Sequence, residues 1–278
     1  MTMFETASFH IVKPCNMACK FCYATFNDMK VKEQISYLDV TKILDKLTDA
    51  GLQKITFAGG EPLLYQYLYG VVDYAKKIGL TTSIITNGSL LDDEKFECFQ
   101  GSLDWIGLSV DSLNPQTNNL IGRTSKLNPN YYELIAKIKK YGYKLKINTV
   151  VNSYNWDEDM SEFIIWAEPD RWKIFQALRV EGQNEKEFEN IRVTETEFTK
   201  FIESHSFIPN TVVEDNATMT GSYLLIDPQG RLFENSSGKH TYSKPLQNNT
   251  VKSCLSELNL NREMFLQRGG IYNWNKNI

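Results

Sequence analysis

The sequence predicts an α/β fold, a partial (β/α)6 TIM-type barrel with a C-terminal extension that closes over the barrel. Two observations lead to this fold class. Six short β-rich runs alternate with longer amphipathic runs between about residues 9 and 178, which is typical of parallel strands joined by helices. Glycines follow three of the amphipathic runs, at Gly51, Gly79 and Gly142, where a left-handed residue commonly ends a helix.

The elements follow from local patterns. Strands are predicted at Phe9–Val12, Lys54–Phe57, Thr82–Thr86, Trp105–Val110, Lys144–Val151 and Trp172–Ala177. Helices are predicted between them, near Tyr37–Ala50, Tyr65–Ile78, Asp92–Gln100, Asn130–Tyr141 and Trp156–Ala167. Beyond Gly182 the alternation stops, and we expect a helix near Thr194–Ser204, strands at Tyr223–Ile226 and Arg231–Glu234, and a last helix near Val251–Gln267. The chain therefore divides into a barrel, residues 1–182, and an extension, residues 183–278.

The composition narrows the class of protein. The chain has 278 residues, of which 42% are hydrophobic, and its formal net charge is -4. It lacks the basic excess that is typical of nucleic-acid-binding proteins. No apolar run reaches the ~20 residues that a membrane span needs, and the first residues lack the pattern of a signal peptide. We expect a cytoplasmic monomer that binds neither nucleic acid nor membranes.

Three of the five cysteines lie on one short segment directly after the first predicted strand, at Cys15, Cys19 and Cys22. Three thiolates can hold three corners of an iron–sulfur cubane and leave the fourth iron open for chemistry. The alternative is a zinc loop that borrows Cys98, Cys254 or a histidine, but the second Cys-x-x-Cys pair of such sites is absent. We expect Cys98 and Cys254 to be small buried apolar residues.

Polar motifs follow the next three strands. Gly59-Gly60-Glu61-Pro62 ends the second strand, and Asn87 lies in the Thr86-Asn87-Gly88 segment that ends the third. Ser109 lies at the end of the fourth strand, and Arg123 follows in a loop. The carboxyl ends of barrel strands meet at one rim, so these residues should surround the cysteine loop. Each one alone is an ordinary polar loop residue, but their joint position favours a cofactor site.

The Cys-x-x-x-Cys-x-x-Cys spacing, followed by an aromatic residue at Tyr23, resembles the signature of the radical S-adenosylmethionine (SAM) superfamily. The resemblance implies a [4Fe–4S] cluster on the three cysteines and SAM as the second cofactor. It also implies that the Gly59-Gly60-Glu61 segment meets the SAM amino group. Ser109 and Arg123 would bind the SAM carboxylate and ribose region, with Asn87 as a further cofactor-binding residue.

The chain resembles the viperin family nearly end to end. The resemblance rests on Lys54–Pro62, Leu120–Arg123, Glu181–Asn184, Ser222–Leu224 and Met264–Trp274, in addition to the cysteine loop. It implies an antiviral enzyme that converts CTP, UTP or GTP into the 3′-deoxy-3′,4′-didehydro analogue. In that reaction a 5′-deoxyadenosyl radical takes the hydrogen from C4′, the 3′-hydroxyl leaves as water, and one electron and one proton complete the alkene. A reductant such as flavodoxin or ferredoxin would be a partner.

Cationic residues on the strands offer an independent indication of a triphosphate. Lys146 and Asn148 share one face of their strand by the period of two, as do Arg171 and Lys173, and Lys54 begins another strand. A lysine buried without a partner costs several kcal/mol, so the set predicts a bound polyanion. A buried structural salt bridge is the alternative. In the viperin family these positions contact the triphosphate.

The extension supplies the last candidates. Arg268 would add to the phosphate site when the C-terminal segment closes over the barrel. Tyr223 matches a family tyrosine that is suspected of donating a hydrogen or proton at the end of the reaction, and an ordinary strand tyrosine is the alternative. Asn235 lies in the segment beside the base. Because Asn235-Ser236-Ser237 departs from the Asn-Cys of animal viperins, the base preference stays open.

Two rival functions remain. Another nucleotide-modifying radical SAM enzyme, such as the GTP-using enzyme of molybdenum-cofactor synthesis, would normally carry a second cysteine cluster, which Cys254 alone cannot supply. A non-catalytic iron–sulfur protein would leave the Gly59-Gly60-Glu61-Pro62 motif without a role.

Overall fold

The computed structural model of the chain describes residues 4–30 and 34–274. Its strands are β1 (Thr6–Val12), β2 (Lys54–Gly59), β3 (Thr81–Thr86), β4 (Trp105–Ser109), β5 (Lys144–Val151), β6 (Arg171–Gln176), β7 (Thr211–Glu214), β8 (Leu225–Ile226), β9 (Arg231–Glu234) and β10 (Thr241–Pro245). They form one sheet in the order β10-β9-β8-β1-β2-β3-β4-β5-β6-β7. Neighbours from β1 to β7 are all parallel, as a partial barrel requires.

The six strands predicted from the alternation are confirmed, each to within a few residues, and β5 has the predicted bounds. The sequence did not reveal β7, which pairs in parallel with β6 and extends the barrel wall by one strand. Its four residues, Thr-Val-Val-Glu, are too short a run to show a period. At the opposite edge, β8 pairs in parallel with β1, and β9 and β10 follow it in antiparallel order. The segment from residue 183 onward therefore contributes strands to both edges of the sheet.

The helices are α1 (Tyr37–Asp49), α2 (Leu68–Lys77), α3 (Asp93–Cys98), α4 (Pro115–Leu120), α5 (Tyr131–Lys140), α6 (Ser161–Ala167), α7 (Glu185–Ile191), α8 (Glu195–Ser204), α9 (Asn216–Met219), α10 (Val251–Leu255) and α11 (Arg262–Gln267). Ser36 caps α1, since its side chain accepts from the Asp39 amide, and the helix buries Ile43, Leu44 and Leu47. Among the described residues, no helix is both long and apolar enough to cross a membrane.

The single helix predicted near Val251–Gln267 is wrong, because that segment forms two helices. Helix α10 ends at Ser256, and Asn261 caps α11 by accepting from the Met264 amide. The Asn261 amide donates to the Gly221 carbonyl over 2.8 Å, which anchors the break to the segment between α9 and β8. The apolar spacing carried no sign of this break. The short elements α4, α7, α9 and β10 were also not predicted.

The strands separate an apolar outer core from a polar barrel interior. On β5, Leu145 and Ile147 belong to the buried core that the helices cover, whereas Lys146 lines a cavity inside the barrel. The same alternation on β2 places Ile55 and Phe57 in the core and Lys54 in the cavity. The polar lining of the interior is thus set by the period of two along each strand.

Candidate active site

The three cysteines lie on the loop that follows β1. Cys15 is exposed, and Cys19 and Cys22 are partly buried. The Cys22 amide donates to the Cys19 carbonyl over 3.1 Å, and the Met17 amide donates to the Cys15 sulfur over 3.4 Å. Burial raises the pKa of the Cys22 thiol and raises that of the Cys19 thiol to about 12. Since iron binds the thiolate form, metal binding must supply the energy that removes these protons.

The donor set fits an iron–sulfur cluster. In the part of the chain that the structure describes, no three Cys, His, Asp or Glu side chains are placed to hold a single metal ion together. A cubane needs no such convergence, because each thiolate binds its own iron. Cys254 is buried, as expected, and its thiol donates to the Lys244 carbonyl over 3.3 Å. The expectation for Cys98 is wrong: it is the last residue of α3 and is exposed.

The two glycines after β2 allow the backbone to lie against the cysteine loop. The Gly60 amide donates to the Val12 carbonyl over 2.6 Å, and the Glu61 amide donates to the Pro14 carbonyl over 2.9 Å. A Cβ atom on Gly60 would lie 2.1 Å from the Pro14 oxygen, and one on Gly59 would lie 2.5 Å from the Val12 oxygen. Both distances are too short for any side chain. The motif therefore supports the start of the loop, whatever it also contributes to cofactor binding.

Gly122 supports the other half of the loop. The Ala18 amide donates to the Gly122 carbonyl over 3.1 Å, and the Lys20 amide donates to the Ile121 carbonyl over 3.0 Å. Gly122 has a φ of +76°, and a Cβ atom there would lie 2.1 Å from the Ala18 oxygen. The Leu120–Arg123 segment, which the sequence marks only by resemblance, is thus a backbone brace for the cysteine loop.

We expect Gly122→Ala to reduce cluster loading several-fold, because the added methyl group displaces the loop that carries Cys19. Iron and acid-labile sulfide per chain after reconstitution measure this. Gly142→Ala is the matched control, since Gly142 has a φ of +73° but open space around its Cβ position. Both variants should lose roughly 1–2 kcal/mol of stability from the left-handed backbone. Equal iron loading in the two variants would contradict the inference that Gly122 supports the cysteine loop.

Glu61 ties the ends of β2 and β3 together. Its side chain is 1% exposed, and its carboxylate accepts from the Thr86 hydroxyl over 2.7 Å and from the Asn87 amide over 2.9 Å. The Asn87 side chain donates to Asn16 of the cysteine loop over 2.9 Å. The predicted cofactor residues Glu61 and Asn87 therefore lie together beside the loop, in one hydrogen-bonded network.

Arg123 lies on the other side of the loop. Its guanidinium is buried in an ion pair with Asp111 and lies 5.5 Å from the centre of the Phe21 ring. The Asp111 carboxylate also accepts from the Val150 amide over 2.8 Å. Ser109 ends β4 and is partly buried. The residues predicted to hold the cluster and SAM thus meet at the carboxyl ends of β1 to β4.

The cations lie at the opposite end of the strands. Lys54 is the first residue of β2, Arg171 is the first residue of β6, and Lys146 is the third residue of β5. Together with Lys173 and Arg268 they line one cavity inside the barrel. The expectation that working groups gather at the carboxyl rim therefore holds for the cofactor motifs and not for the cations.

Most of these cationic side chains have no carboxylate as an ion-pair partner. Lys54 donates to the Tyr272 hydroxyl over 2.5 Å and lies 4.4 Å from the centre of the Trp105 ring. Arg171 donates to the Gly269 carbonyl over 2.8 Å, and its Nε is buried without a hydrogen-bond partner. Among the described residues, Lys146 has no hydrogen bond and no ion pair. Burying such a set of charges is costly, and a bound anion would offset that cost.

The pKa values show the same excess of positive charge. Burial, and then the neighbouring Arg171, lower the pKa of Lys146 to about 8. Burial and the surrounding cations hold the pKa values of Lys54 and Lys173 well below the usual lysine range, although Glu214 opposes the shift at Lys173. A bound anion would reverse these shifts because it favours the charged form of each lysine.

Glu214 is the functional candidate that the sequence did not reveal. It is the last residue of β7, its side chain is fully buried, and it lies among the cations. Lys173 and the Tyr223 hydroxyl both donate to its carboxylate, and an Arg268 nitrogen lies 3.7 Å from it. The available signal was a glutamate directly after two valines, but β7 itself was too short to be recognised.

The C-terminal segment closes this cavity, which confirms that part of the fold prediction. Arg268 donates to the Ser222 carbonyl over 3.1 Å and lies 3.5 Å from the centre of the Tyr223 ring. The Trp105 indole donates to the Trp274 carbonyl over 2.9 Å. In the same part of the fold, the Asn235 side chain accepts from the Gly221 amide over 2.9 Å, which fixes the turn before Tyr223.

Comparisons with known proteins identify the family. The Radical SAM superfamily model matches residues 11–167. The S-adenosylmethionine-dependent nucleotide dehydratase of Lacinutrix mariniflava is 43% identical over 100% of this chain and 60% of its own length. The protein of the same name from Flammeovirga pacifica is 40% identical over 98% of this chain and 97% of its own length. Nucleotide dehydratase RSAD2 of Siniperca chuatsi is 34% identical, over 98% of this chain and 79% of its own length.

Solved structures share the fold at low identity. Native anSMEcpe with bound AdoMet has a TM-score of 0.71 and 15% identity, over 96% of this chain and 84% of that one. Streptococcus suis SuiB bound to its precursor peptide SuiA has a TM-score of 0.69 and 17% identity, over 90% of this chain and 64% of that one.

Proposed function

Because the chain belongs to the radical SAM superfamily, and within it to the S-adenosylmethionine-dependent nucleotide dehydratases, we propose that it dehydrates the ribose of a ribonucleoside triphosphate. Its cofactors are a [4Fe–4S] cluster and SAM, and its substrate is a nucleotide. The product is the 3′-deoxy-3′,4′-didehydro nucleotide, and its biological role is antiviral defence. One observation carries the choice of a triphosphate: buried cations without carboxylate partners line the barrel interior opposite the cysteine loop.

The cofactors occupy the carboxyl rim. Cys15, Cys19 and Cys22 hold the cluster, and Gly59, Gly60, Glu61, Asn87, Ser109 and Arg123 form the SAM site. When bound, the two cofactors supply a 5′-deoxyadenosyl radical that removes the hydrogen from C4′ of the substrate. The protein contributes position, because the braced loop fixes where the radical forms relative to the barrel axis.

The substrate enters with its phosphates toward the amino ends of the strands. Lys54, Lys146, Asn148, Arg171, Lys173 and Arg268 hold the triphosphate. When all five cations are protonated, they and the neighbouring Glu214 carboxylate carry a formal net charge of +4. A nucleoside triphosphate carries roughly -4, so its binding favours the protonated form of these lysines. Because the phosphates lie at one end of the barrel, the ribose faces the opposite rim, where the radical forms.

The extension completes the nucleotide site. Residues 183–278 supply Arg268 for the phosphates, Asn235 beside the base, and Tyr223 as the donor that finishes the reaction. Residues 1–182 carry both cofactors. CTP, UTP and GTP are all candidate substrates. We further propose that the enzyme is a cytoplasmic monomer that binds neither nucleic acid nor membranes and receives electrons from a carrier such as flavodoxin or ferredoxin.

Anaerobic incubation tests this function. The reconstituted protein is mixed with SAM, dithionite and CTP, UTP or GTP in turn, and the products are analysed by mass spectrometry. We expect the true substrate to yield a nucleotide lighter by one water, in step with 5′-deoxyadenosine. A substrate deuterated at C4′ should transfer its deuterium to 5′-deoxyadenosine.

The outcomes separate the alternatives. If no triphosphate raises 5′-deoxyadenosine above the rate without substrate, the dehydratase function fails and superfamily membership remains. Formation of a different nucleotide product would indicate another nucleotide-modifying enzyme. A loaded cluster that never cleaves SAM would indicate a non-catalytic iron–sulfur protein.

A further inference from the structure

A buried carboxylate in a phosphate pocket needs an explanation. The pocket has to attract a polyanion, and Glu214 repels one. Its side chain is 0% exposed, and its carboxylate accepts from Lys173 on β6 and from Tyr223, which precedes β8. If the only task were to bind phosphate, an apolar residue at this position would leave more positive charge for the substrate. Phosphate binding alone therefore does not explain the charge of Glu214.

The contacts of Glu214 connect it to the donor side chain. The Tyr223 hydroxyl donates to one carboxylate oxygen, and Lys173 donates both to the other oxygen and, over 2.9 Å, to the Tyr223 hydroxyl. Arg268 covers the Tyr223 ring at 3.5 Å. The hydroxyl is thus held in one orientation by two charged groups that face each other.

Substrate binding changes the charge balance at this carboxylate. Burial raises the pKa of Glu214, but Lys173 and then Arg268 outweigh that effect and hold the pKa below its usual range. Arg171, Lys146 and the Tyr23 and Tyr272 hydroxyls are the other titratable groups around this part of the cavity. When a triphosphate takes up the charge of Lys173 and Arg268, burial and the new negative charges both favour the protonated acid.

We propose that Glu214 is a positioning residue that takes up a proton when the triphosphate binds and passes it through Tyr223 to the departing 3′-hydroxyl. This inference rests on the proposed function. The Tyr223 hydroxyl gives its proton to the leaving group and regains one from the carboxylic acid of Glu214. Substrate binding thereby protonates Glu214, and the reaction consumes that proton.

The chemistry balances with one proton and one electron. The C4′–H bond breaks homolytically, and its hydrogen atom goes to the 5′-deoxyadenosyl radical. The C3′–O bond then breaks with its electron pair on oxygen, and the proton from the Glu214–Tyr223 pair turns the leaving hydroxide into water. One electron from the same one-electron reductant that drives SAM cleavage converts the remaining sugar radical cation into the C3′=C4′ alkene.

Glu214→Gln separates this role from phosphate binding. The variant removes the repelling charge, so triphosphate affinity measured by calorimetry should be unchanged or higher. Hydrogen abstraction from C4′ should continue, since it precedes proton delivery. The dehydrated product formed per 5′-deoxyadenosine should fall roughly 10²-fold, which is typical of losing a general acid. Tyr223→Phe should show the same uncoupling, and the double variant should be no worse than either single one.

Infrared spectroscopy gives a readout that does not depend on turnover. Adding nucleotide to the reconstituted enzyme without reductant should produce the C=O stretch of a protonated carboxylic acid, and Glu214→Gln should lack it. Asp227→Asn is the matched control, because Asp227 is also fully buried and paired with an arginine, Arg231, outside the pocket. It should keep both the infrared band and normal coupling. Glu214→Asp should restore part of the coupling.

Two results would overturn the proposal. One is a Glu214→Gln enzyme whose ratio of product to 5′-deoxyadenosine equals that of the wild type. The other is a variant in which nucleotide affinity and C4′ abstraction fall together, which is the behaviour of a residue that only supports the fold. If the wild type itself forms no dehydrated nucleotide, the proposed function has failed instead, and the coupling ratio is then undefined.

Discussion

Replacing Cys19 with alanine removes the cluster and all turnover while leaving nucleotide binding intact. In the proposed site each thiolate of the loop would hold a different iron, so a loop with two thiolates would not retain a cubane. His10, on the strand before the loop, is buried and shares a hydrogen bond with the Tyr23 hydroxyl. Among the described residues, no three Cys, His, Asp or Glu side chains converge on one metal position, and none of the three histidines is part of such a group. Iron, acid-labile sulfide and 5′-deoxyadenosine should all fall to background.

The control for this prediction is Cys98→Ala, which changes an exposed cysteine at the end of α3 and should load a full cluster. Triphosphate affinity should match the wild type in both variants, because the cations lie at the opposite end of the strands. A Cys19→Ala protein that retains iron and sulfide at the wild-type ratio would refute the assignment of the three ligands.

The reciprocal variant, Lys146→Met, is expected to weaken triphosphate binding roughly 10²-fold while cluster content and SAM binding stay unchanged. Losing a hydrogen bond to a charged group costs about 1.5–3 kcal/mol, and each 1.4 kcal/mol is a factor of about ten. Methionine keeps the length of the side chain, so the loss of affinity measures the contribution of the lysine charge. Lys252→Met, at an exposed position of α10, is the control and should bind normally.

The pH dependence supplies a further readout of Lys146. With its pKa lowered to about 8, this lysine loses its proton in the free enzyme above that pH, while the bound triphosphate restores it. Wild-type affinity should therefore fall as the pH rises above about 8. Binding at that pH should take up protons, which calorimetry in buffers of different ionisation enthalpy measures. The variant should take up fewer protons.

The lowered pKa of Lys146 affects folding stability in the opposite direction from triphosphate affinity as the pH rises. Between about 8 and the usual lysine value of 10.5, the unfolded chain carries the Lys146 proton and the folded chain does not. The unfolded state then binds more protons, so the free energy of unfolding rises with pH in this window. Lys54 and Lys173 act in the same direction, so the comparison is between wild type and Lys146→Met. A slope that is identical in the two proteins would contradict the lowered pKa of Lys146.

The fold was predictable where the information is local. Alternation with a period of two, helical periods and glycines after helices located β1 to β6 to within a few residues. Short elements were not predicted because they carry too little of this local pattern. The four residues of β7, for example, are too few to show a period. The break between α10 and α11 also escaped, because it depends on a hydrogen bond from Asn261 to the distant Gly221.

The candidate site divides in the same way. Spacing along one segment is enough to predict that Cys15, Cys19 and Cys22 act together, and the period of two along a strand is enough to predict a cationic face. The bracing of the cysteine loop by Gly60 and Gly122 is visible only in the tertiary structure. That structure alone placed the cations at the opposite end from that loop and put Glu214 beside Tyr223. These are contacts between segments far apart in the chain, which packing creates and no local period encodes.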